Sequence, residues 1–174
     1  MAVLEILTAP HPVLSASARE VRDDEFGPAL KQLLSDMAET MYAAPGVGLA
    51  APQVGDGRRI ITVDSSDKEN RGTRLYKMVN PTIVERSKET ITWGETCLSV
   101  PDLEVDVVRA NRIRVQWRDE SGAKREEWFE EYEAVILQHE LDHLAGTVLL
   151  DRVSSFRRSR YMKKVKSRVQ ELVR

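Results

Sequence analysis

Two histidines four positions apart, His139 and His143, most constrain what this chain can fold into. An α-helix has about 3.6 residues per turn, so side chains at positions i and i+4 lie on the same face. Two imidazoles on one helical face can bind a single metal ion, and Glu140, beside the first histidine, can take a proton from a water molecule that the ion activates. The spacing therefore predicts a helix that carries a metal site and indicates a hydrolase.

The surroundings of the histidine pair favour a buried helix. Glu130, Glu131 and Glu133 precede it, where the helix dipole favours negative charge, and Gly146 follows it as a predicted C-terminal cap. Short patterns of this kind also arise by chance, and such a pair can simply be solvated or hydrogen-bonded in a core. Metal binding is favoured because two of the chain's three histidines are here. The apolar residues that would bury them are Ala134, Val135, Leu137, Leu141 and Leu144.

A catalytic site of this type needs a third protein ligand and one open position. The extended pattern HExxHxxGxxH is followed only as far as Gly146, because Leu149 stands where the third ligand would be. The downstream carboxylates, Asp151 and Glu171, are poorly placed. Cys97, the only cysteine, follows a strand-like run and would complete a set of three ligands, although a lone cysteine is more often a small buried hydrophobe.

Three segments in fixed order make the chain resemble the peptide deformylase family, which carries the motifs GxGxAAxQ, EGCLS and QHExDHLxG. The first matches fully at Gly46–Gln53 and the third at Gln138–Gly146. The second matches in four of five positions at Glu95–Ser99, where Thr96 replaces the glycine. The likeness also extends between the motifs and covers nearly the whole chain.

The resemblance implies a metal centre with one divalent ion per chain. Cys97, His139 and His143 would be the ligands, and the native ion would be Fe²⁺, with Zn²⁺, Ni²⁺ or Co²⁺ as replacements in preparations. The family pattern also implies a buried ion pair between Glu95 and Arg109 that steadies the loop of Cys97. The ligand set is soft to borderline and leaves one position open.

The resemblance also implies the remaining site residues. Glu140 would be the general base, while Gln53 and the backbone N–H of Leu98 would donate hydrogen bonds to the oxyanion. Gly48 would let an extended substrate backbone approach closely. The substrate's methionine side chain would enter an apolar pocket near Val47, Trp93, Val135, Ile136 and His139.

Four positions depart from the family pattern. If the family's glycine has a positive φ, Thr96 is strained there; if that glycine is extended, Thr96 only adds bulk near the substrate path. Asp102 and Glu104 make the rim of the cleft more acidic than usual, and Glu131 replaces another glycine. These changes bear on substrate preference and rate rather than on the type of reaction.

The predicted fold is α+β, with antiparallel sheets wrapped around a central metal-binding helix and a further helix near each end. One domain over residues 1–174 fits the length, and 41% hydrophobic residues suffice for a core. Asp23 or Asp24 is predicted to cap a first helix with an apolar stripe, and a last helix to begin near Ser155. That stripe comprises Phe26, Leu30, Leu33, Met37 and Met41. The predicted strands are Arg59 to Asp64, Tyr76 to Val79, Thr90 to Trp93, Val105 to Arg109, and a hairpin of Arg112 to Trp117 with Lys124 to Trp128.

The expected substrates are N-formylmethionyl peptides, from which formate is released. Two alternatives stay open: hydrolysis of another small amide or peptide bond, or a weakly active relative that acts as a binding module. The basic last helix is either a solvated face or a ribosome contact. The net charge of −2, the absence of a long apolar run and the lone cysteine predict a cytoplasmic protein with no membrane partner and no sequence-specific nucleic-acid binding.

Overall fold

Two antiparallel sheets and three α-helices make up the computed structural model, which describes residues 2–173. The helices are α1 (Pro28–Ala43), α2 (Glu131–Leu144) and α3 (Ser155–Leu172). The strands are β1 (Gly48–Ala50), β2 (Ile60–Asp64), β3 (Leu75–Arg86), β4 (Thr90–Cys97), β5 (Val100–Ala110), β6 (Arg112–Arg118) and β7 (Lys124–Glu130). The predicted α+β class is confirmed.

The larger sheet has the strand order β1-β2-β3-β6-β7, and β4 pairs with β5 in a separate two-stranded ribbon. The predicted hairpin is present as β6 and β7, and Gly122 in its turn has a φ of +88°. The alternation of buried and exposed side chains is clearest in β5, where Leu103, Val105 and Val107 are buried and the residues between them are exposed. This period of two fixes which face of the ribbon meets the core.

Helix α2 lies at the centre, with eight of its 14 residues buried. Ala134, Leu137 and Leu144 pack with side chains from β2, β3 and β6 in one core cluster. The helix ends at the predicted glycine, since Gly146 has a φ of +76°. A Cβ atom at that position would also lie 2.7 Å from the carbonyl oxygen of Ser15, so only glycine fits. The predicted central helix and its cap are confirmed.

The start of α1 differs from the prediction. The helix begins at Pro28 with Gly27 as the N-cap residue, and Asp23–Glu25 forms a separate 3-10 turn. The prediction that Asp23 or Asp24 caps α1 is therefore wrong. Proline is favoured in the first turn of a helix, so the helix begins at Pro28 rather than at the upstream acids.

The apolar stripe of α1 is confirmed in outline. Leu30, Met37 and Met41 are fully buried, but Leu33 is only partly so, and Leu34 is fully buried beside it. Phe26, which was predicted to belong to this stripe, lies before the start of the helix at Pro28 and is only partly buried. Helix α3 is the opposite case, because none of its residues is buried. Within residues 2–173, no helix combines the length and apolar character needed to cross a membrane.

Candidate metal centre and active-site cleft

Cys97, His139 and His143 come together at one point, where the end of β4 meets the C-terminal half of α2. Their ligand atoms all lie within 4.8 Å of one another, and Cys97 Sγ is 3.3 Å from His143 Nε2. Cys97 and His143 are buried, at 8% and 1% exposed, and His139 is partly exposed towards the cleft. One thiolate and two imidazoles are donors that suit a borderline divalent ion, so the residues present fit the metal that the sequence implies.

Burial and neighbouring groups shift the pKa values of both histidines in opposite directions. Burial alone would lower the pKa of His139, but hydrogen bonds with Cys97 and Glu95 outweigh it and raise the pKa to about 10. Burial, with the neighbouring His139, lowers the pKa of His143 to about 3. A divalent ion on these donors competes with the proton that His139 holds, so metal affinity falls when the pH falls.

A buried polar network orients the donors from behind. His139 Nδ1 is 2.8 Å from Glu95, which accepts two hydrogen bonds of 2.8 Å from Arg109. Arg109 also donates to Asp142 at 2.8 Å, and Arg152 reaches Asp142 at 2.6 Å. The predicted pair of Glu95 and Arg109 is thus confirmed.

Glu95 is held as a carboxylate by this network. Burial would raise the pKa of Glu95, but the hydrogen bonds from Arg109 and His139 lower it to about 2. Because Nδ1 of His139 is engaged with Glu95, its Nε2 is the nitrogen available to a metal. Partners of this kind fix the tautomer and orientation of ligating histidines.

Glu140 lies in the cleft beside these donors, and it is 4% exposed. Within the described chain its Oε2 has no hydrogen-bond partner, and burial raises the pKa of the carboxyl to about 7. Gly48 packs directly against it, since a Cβ atom at Gly48 would lie only 2.8 Å from Glu140 Cδ. The glycine is therefore needed to make room for the carboxylate as well as for any ligand.

The predicted oxyanion donors lie on either side of Cys97. Gln53 accepts a hydrogen bond from Ala50 N–H at 2.9 Å through Oε1, which leaves Nε2 as the donor end. That Nε2 donates to Ser99 Oγ at 3.0 Å and lies 3.8 Å from Cys97 Sγ. Leu98 is in the two-residue turn that joins β4 to β5.

A cleft of about 310 Å³ contains nearly all of the predicted site residues. His143 is the exception, because it lies beneath the cleft floor. The predicted residues that line the cleft are Val47, Gly48, Gln53, Trp93, Cys97, Leu98, Val135, Ile136, His139 and Glu140.

Tyr132 is a lining residue that the sequence reading did not single out. Its ring stacks at a tilt on Trp93, with 5.0 Å between the ring centroids. Val135, Ile136 and His139 follow Tyr132 at the i+3, i+4 and i+7 spacing of one helical face. The helical periodicity of α2 could therefore have predicted that Tyr132 lines the cleft.

Thr96 lines the cleft without backbone strain. It lies inside β4 and is not among the non-glycine residues with positive φ, which in the described chain are Asn80, Asp102 and Glu131. The predicted strain from a positive φ is therefore absent, and Thr96 adds bulk beside the cleft. The pairing of β4 with β5 nevertheless shifts register between Thr96 and Cys97. Asp102, by contrast, has a φ of 64° and Glu131 a φ of 53°.

Comparisons with known proteins agree with this arrangement. The family model described as polypeptide deformylase matches residues 3–159. The chain belongs to the peptide deformylase family. Members of this family are metal-dependent hydrolases, and the Cys97, His139 and His143 cluster gives this member a possible metal site.

Curated relatives match over nearly their full length. The chain is 43% identical over 166 residues to a peptide deformylase of Desulfotalea psychrophila, covering 95% of this chain and 96% of the relative. It is also 43% identical over 171 residues to that of Desulfosudis oleivorans, covering 98% and 97%.

Solved structures of peptide deformylases show the same fold. That of Ehrlichia chaffeensis superposes with a TM-score of 0.90 at 36% identity, covering 99% of this chain and 100% of that one. A second structure of the Ehrlichia chaffeensis protein, in complex with actinonin, has a TM-score of 0.87 at 40% identity and covers 97% and 98%.

Proposed function

We propose that this protein removes the formyl group from N-formylmethionyl peptides and releases formate. One observation carries the proposal: the donor atoms of Cys97, His139 and the buried His143 lie within 4.8 Å of one another, beside a cleft of about 310 Å³ that Glu140 also lines. Cys97, His139 and His143 would hold one divalent ion. Fe²⁺ is the proposed native ion, and Zn²⁺, Ni²⁺ or Co²⁺ would suit the same donors.

When bound, the ion would supply Lewis acidity, which polarises the formyl carbonyl and lowers the pKa of water at the site. Glu140 would accept a proton from the water that attacks the formyl carbon. It would then pass the proton to the amine nitrogen as the C–N bond breaks, so that formate and a free N-terminus result. A carboxyl group whose pKa burial raises to about 7 is well matched to both tasks.

Gln53 and Leu98 would stabilise the negative charge that develops on the formyl oxygen. The Ala50 N–H orients the amide of Gln53, so that Nε2 is the end that donates towards the Cys97 side of the cleft. A preorganised donor of this kind is typically worth about 3–4 kcal/mol in the transition state.

Two free strand edges border the cleft and would bind the peptide backbone. Among the described residues 2–173, β1 pairs only with β2, and β4 pairs only with β5, so each strand has an unpaired edge. The segment leading into β1 lines the cleft on one side, and Trp93 to Leu98 line it on the other. An extended peptide would add to these edges, and Gly46 and Gly48 would allow its close approach.

The methionine side chain would enter the apolar part of the cleft, against α2. Aromatic and branched side chains form its walls, and the sulfur of methionine packs favourably on aromatic rings. The walls are Val47, Trp93, Tyr132, Val135 and Ile136.

A panel of peptide amides separates this proposal from its alternatives. Protein prepared without oxygen and loaded with Fe²⁺ or Ni²⁺ is incubated with formyl-Met-Ala-Ser-amide, acetyl-Met-Ala-Ser-amide and Met-Ala-Ser-amide. We expect formate from the first and no reaction with the other two. Release of acetate, or of free serine amide, would instead indicate another amide or peptide substrate, and binding without turnover would indicate a binding module.

We also propose that the chain works as one domain in the cytoplasm and contacts the ribosome through α3. Arg160, Lys163, Lys164 and Lys166 are exposed and make no ion pair within residues 2–173. If they bind ribosomal RNA, the full chain co-sediments with ribosomes at low salt, and a chain that ends at Ser154 does not. Equal co-sedimentation of both chains, or none, would mean that α3 is only a solvated basic face.

A further inference from the structure

The carboxylate of Glu104 lies over the strand that borders the cleft. Glu104 of β5 pairs with Thr96 of β4, and both side chains are on the exposed face of the ribbon. A Cβ atom at Gly94 would lie 2.6 Å from Glu104 Oε1 and 3.5 Å from Asp106 Oδ1. The carboxylate of Glu104 therefore extends across β4 above Gly94, in space that any larger residue would occupy.

Glu104 does not itself line the cleft, but Gly94 and Thr96, the residues beneath and beside its carboxylate, both do. Within residues 2–173, β4 has no strand on its far edge, so a ligand that pairs with this edge passes close to Glu104.

The negative charge of Glu104 is not neutralised by an ion pair within residues 2–173. The guanidinium of Arg157 donates to the backbone carbonyl of Glu104 at 2.5 Å and forms no ion pair with its carboxylate. Arg152 is engaged by Asp142 at 2.6 Å. Asp106, which pairs with Gly94 one step along the strand, adds a second exposed carboxylate to the same face.

We propose that Glu104 is a specificity-determining residue that selects peptides with lysine or arginine directly after the formylmethionine. This inference rests on the proposed deformylase function. Side chains of an extended peptide alternate between the two faces of a sheet. If the methionine side chain enters the pocket on the side of Trp93 and α2, the next side chain lies on the opposite face, with Gly94, Thr96 and Glu104.

The expected effect is moderate because the carboxylate is exposed. Exposed ion pairs of this kind change an equilibrium or rate constant by about two- to fivefold. We therefore expect kcat/KM for a lysine peptide to exceed that for a glutamine peptide by about threefold. The lysine peptide should exceed a glutamate peptide by about tenfold, since attraction is then replaced by repulsion. Both ratios should shrink in about 1 M salt, where charges are screened within about 3 Å.

The test uses formyl-Met-Lys-Ser-amide, formyl-Met-Gln-Ser-amide and formyl-Met-Glu-Ser-amide, which differ only at the second residue. The metal-loaded wild type is compared with Glu104→Gln, Glu104→Lys and the control Glu20→Gln. Glu20 is exposed and does not line the cleft, so its substitution matches the change in net charge alone. We expect the lysine-to-glutamate ratio to fall towards one in Glu104→Gln, to invert in Glu104→Lys and to stay unchanged in Glu20→Gln.

An unchanged ratio in both Glu104 variants would overturn the inference, as would an equal loss in Glu20→Gln. Turnover of the glutamine peptide reports the deformylase function separately. If no peptide is hydrolysed, the affinities of Met-Lys-Ser-amide and Met-Glu-Ser-amide for wild type and Glu104→Lys are measured by tryptophan fluorescence. If wild type binds the lysine peptide more tightly and Glu104→Lys binds the glutamate peptide more tightly, the role of Glu104 is still supported. Equal affinities of the two peptides would overturn it.

Discussion

Helices α2 and α3 are of similar length but are used in opposite ways. Eight of the 14 residues of α2 are buried, and they include Glu140 and His143 as well as core side chains. None of the 18 residues of α3 is buried. Helix α3 is held by polar contacts to the segment after the loop of Cys97: Arg157 and Tyr161 donate to backbone carbonyls of Glu104 and Pro101, and Arg168 pairs with Asp102. Tyr161 and Met162, which are partly buried, also pack against a core cluster.

In α2, core side chains and proposed site residues are buried side by side, whereas α3 contributes only partly buried side chains and no proposed site residue. A substitution in or against α2 disturbs a buried charge or a close contact, which is expensive in free energy. A substitution in α3 removes one exposed contact, which is worth little. Four substitutions test the contrast, in decreasing order of expected effect.

The largest effect is expected from Glu140→Gln. The amide keeps the size of the carboxylate but cannot accept the proton, so kcat should fall by about 10³-fold or more. Metal content should be unchanged, because Glu140 is not a proposed ligand. The assay is formate release from formyl-Met-Ala-Ser-amide together with metal analysis of the same sample. A variant that keeps a tenth of the wild-type rate would exclude Glu140 as the base.

Gly48→Ala tests the contact between β1 and α2. Its Cβ atom would lie 2.8 Å from Glu140 Cδ, so the carboxylate must move. Because displacing a reacting group by about 1 Å can cost about 10²-fold, we expect a loss of that order in kcat. Gly57→Ala is the matched control, since nothing lies within 4 Å of a Cβ atom there. If both variants turn over formylated peptide alike, the close packing at Gly48 is not needed for catalysis.

Glu95→Gln tests the network behind His139. The substitution removes the negative charge that faces Arg109 and His139, while Asp142 remains as a partner of Arg109. We expect a 10- to 100-fold loss of metal affinity and a destabilisation of about 3 kcal/mol. Competition with a chelator measures the first and chemical denaturation the second. Glu85→Gln, at an exposed pair with Arg114, is the control and should change neither.

The smallest effect is expected from Arg168→Ala in α3. Arg168 and Asp102 are both largely exposed, and their pair contributes little to stability. The melting temperature should therefore change by less than about 4 °C, and kcat/KM should stay within about twofold of the wild type. Calorimetry and the formate assay measure the two quantities. A large loss of melting temperature or of kcat/KM would show that α3 supports the loop of Cys97 more strongly than its exposure suggests.

Periodicity predicted α2, its buried face and its glycine cap because those signals are local. The same reasoning failed at Asp23 and Asp24, where Gly27 and Pro28 fix the helix start instead. β1 was not predicted, since Gly48 and its neighbours suggest a turn when read alone, and only pairing with β2 makes the segment a strand.

Parts of the site needed more than local pattern. The histidine motif indicated a metal, and Cys97 was a candidate third ligand with a buried hydrophobe as the alternative. Only the family resemblance favoured the ligand role, because the ends of β4 and α2 meet in space and not in sequence. Glu140 packs against Gly48, and the carboxylate of Glu104 lies over Gly94. Both contacts join separate elements of the fold, so local sequence patterns could not predict them. The sequence could not predict the backbone conformation at Thr96, and only the structure shows that its φ is not positive.

The most direct test of the metal centre and its base is to measure metal content and formate release on the same anaerobic samples of wild type, Cys97→Ala and Glu140→Gln. We predict one ion per chain and rapid turnover in wild type, one ion and no turnover in Glu140→Gln, and loss of both in Cys97→Ala. Full metal occupancy in Cys97→Ala, or undiminished formate release by Glu140→Gln, would contradict the proposed centre.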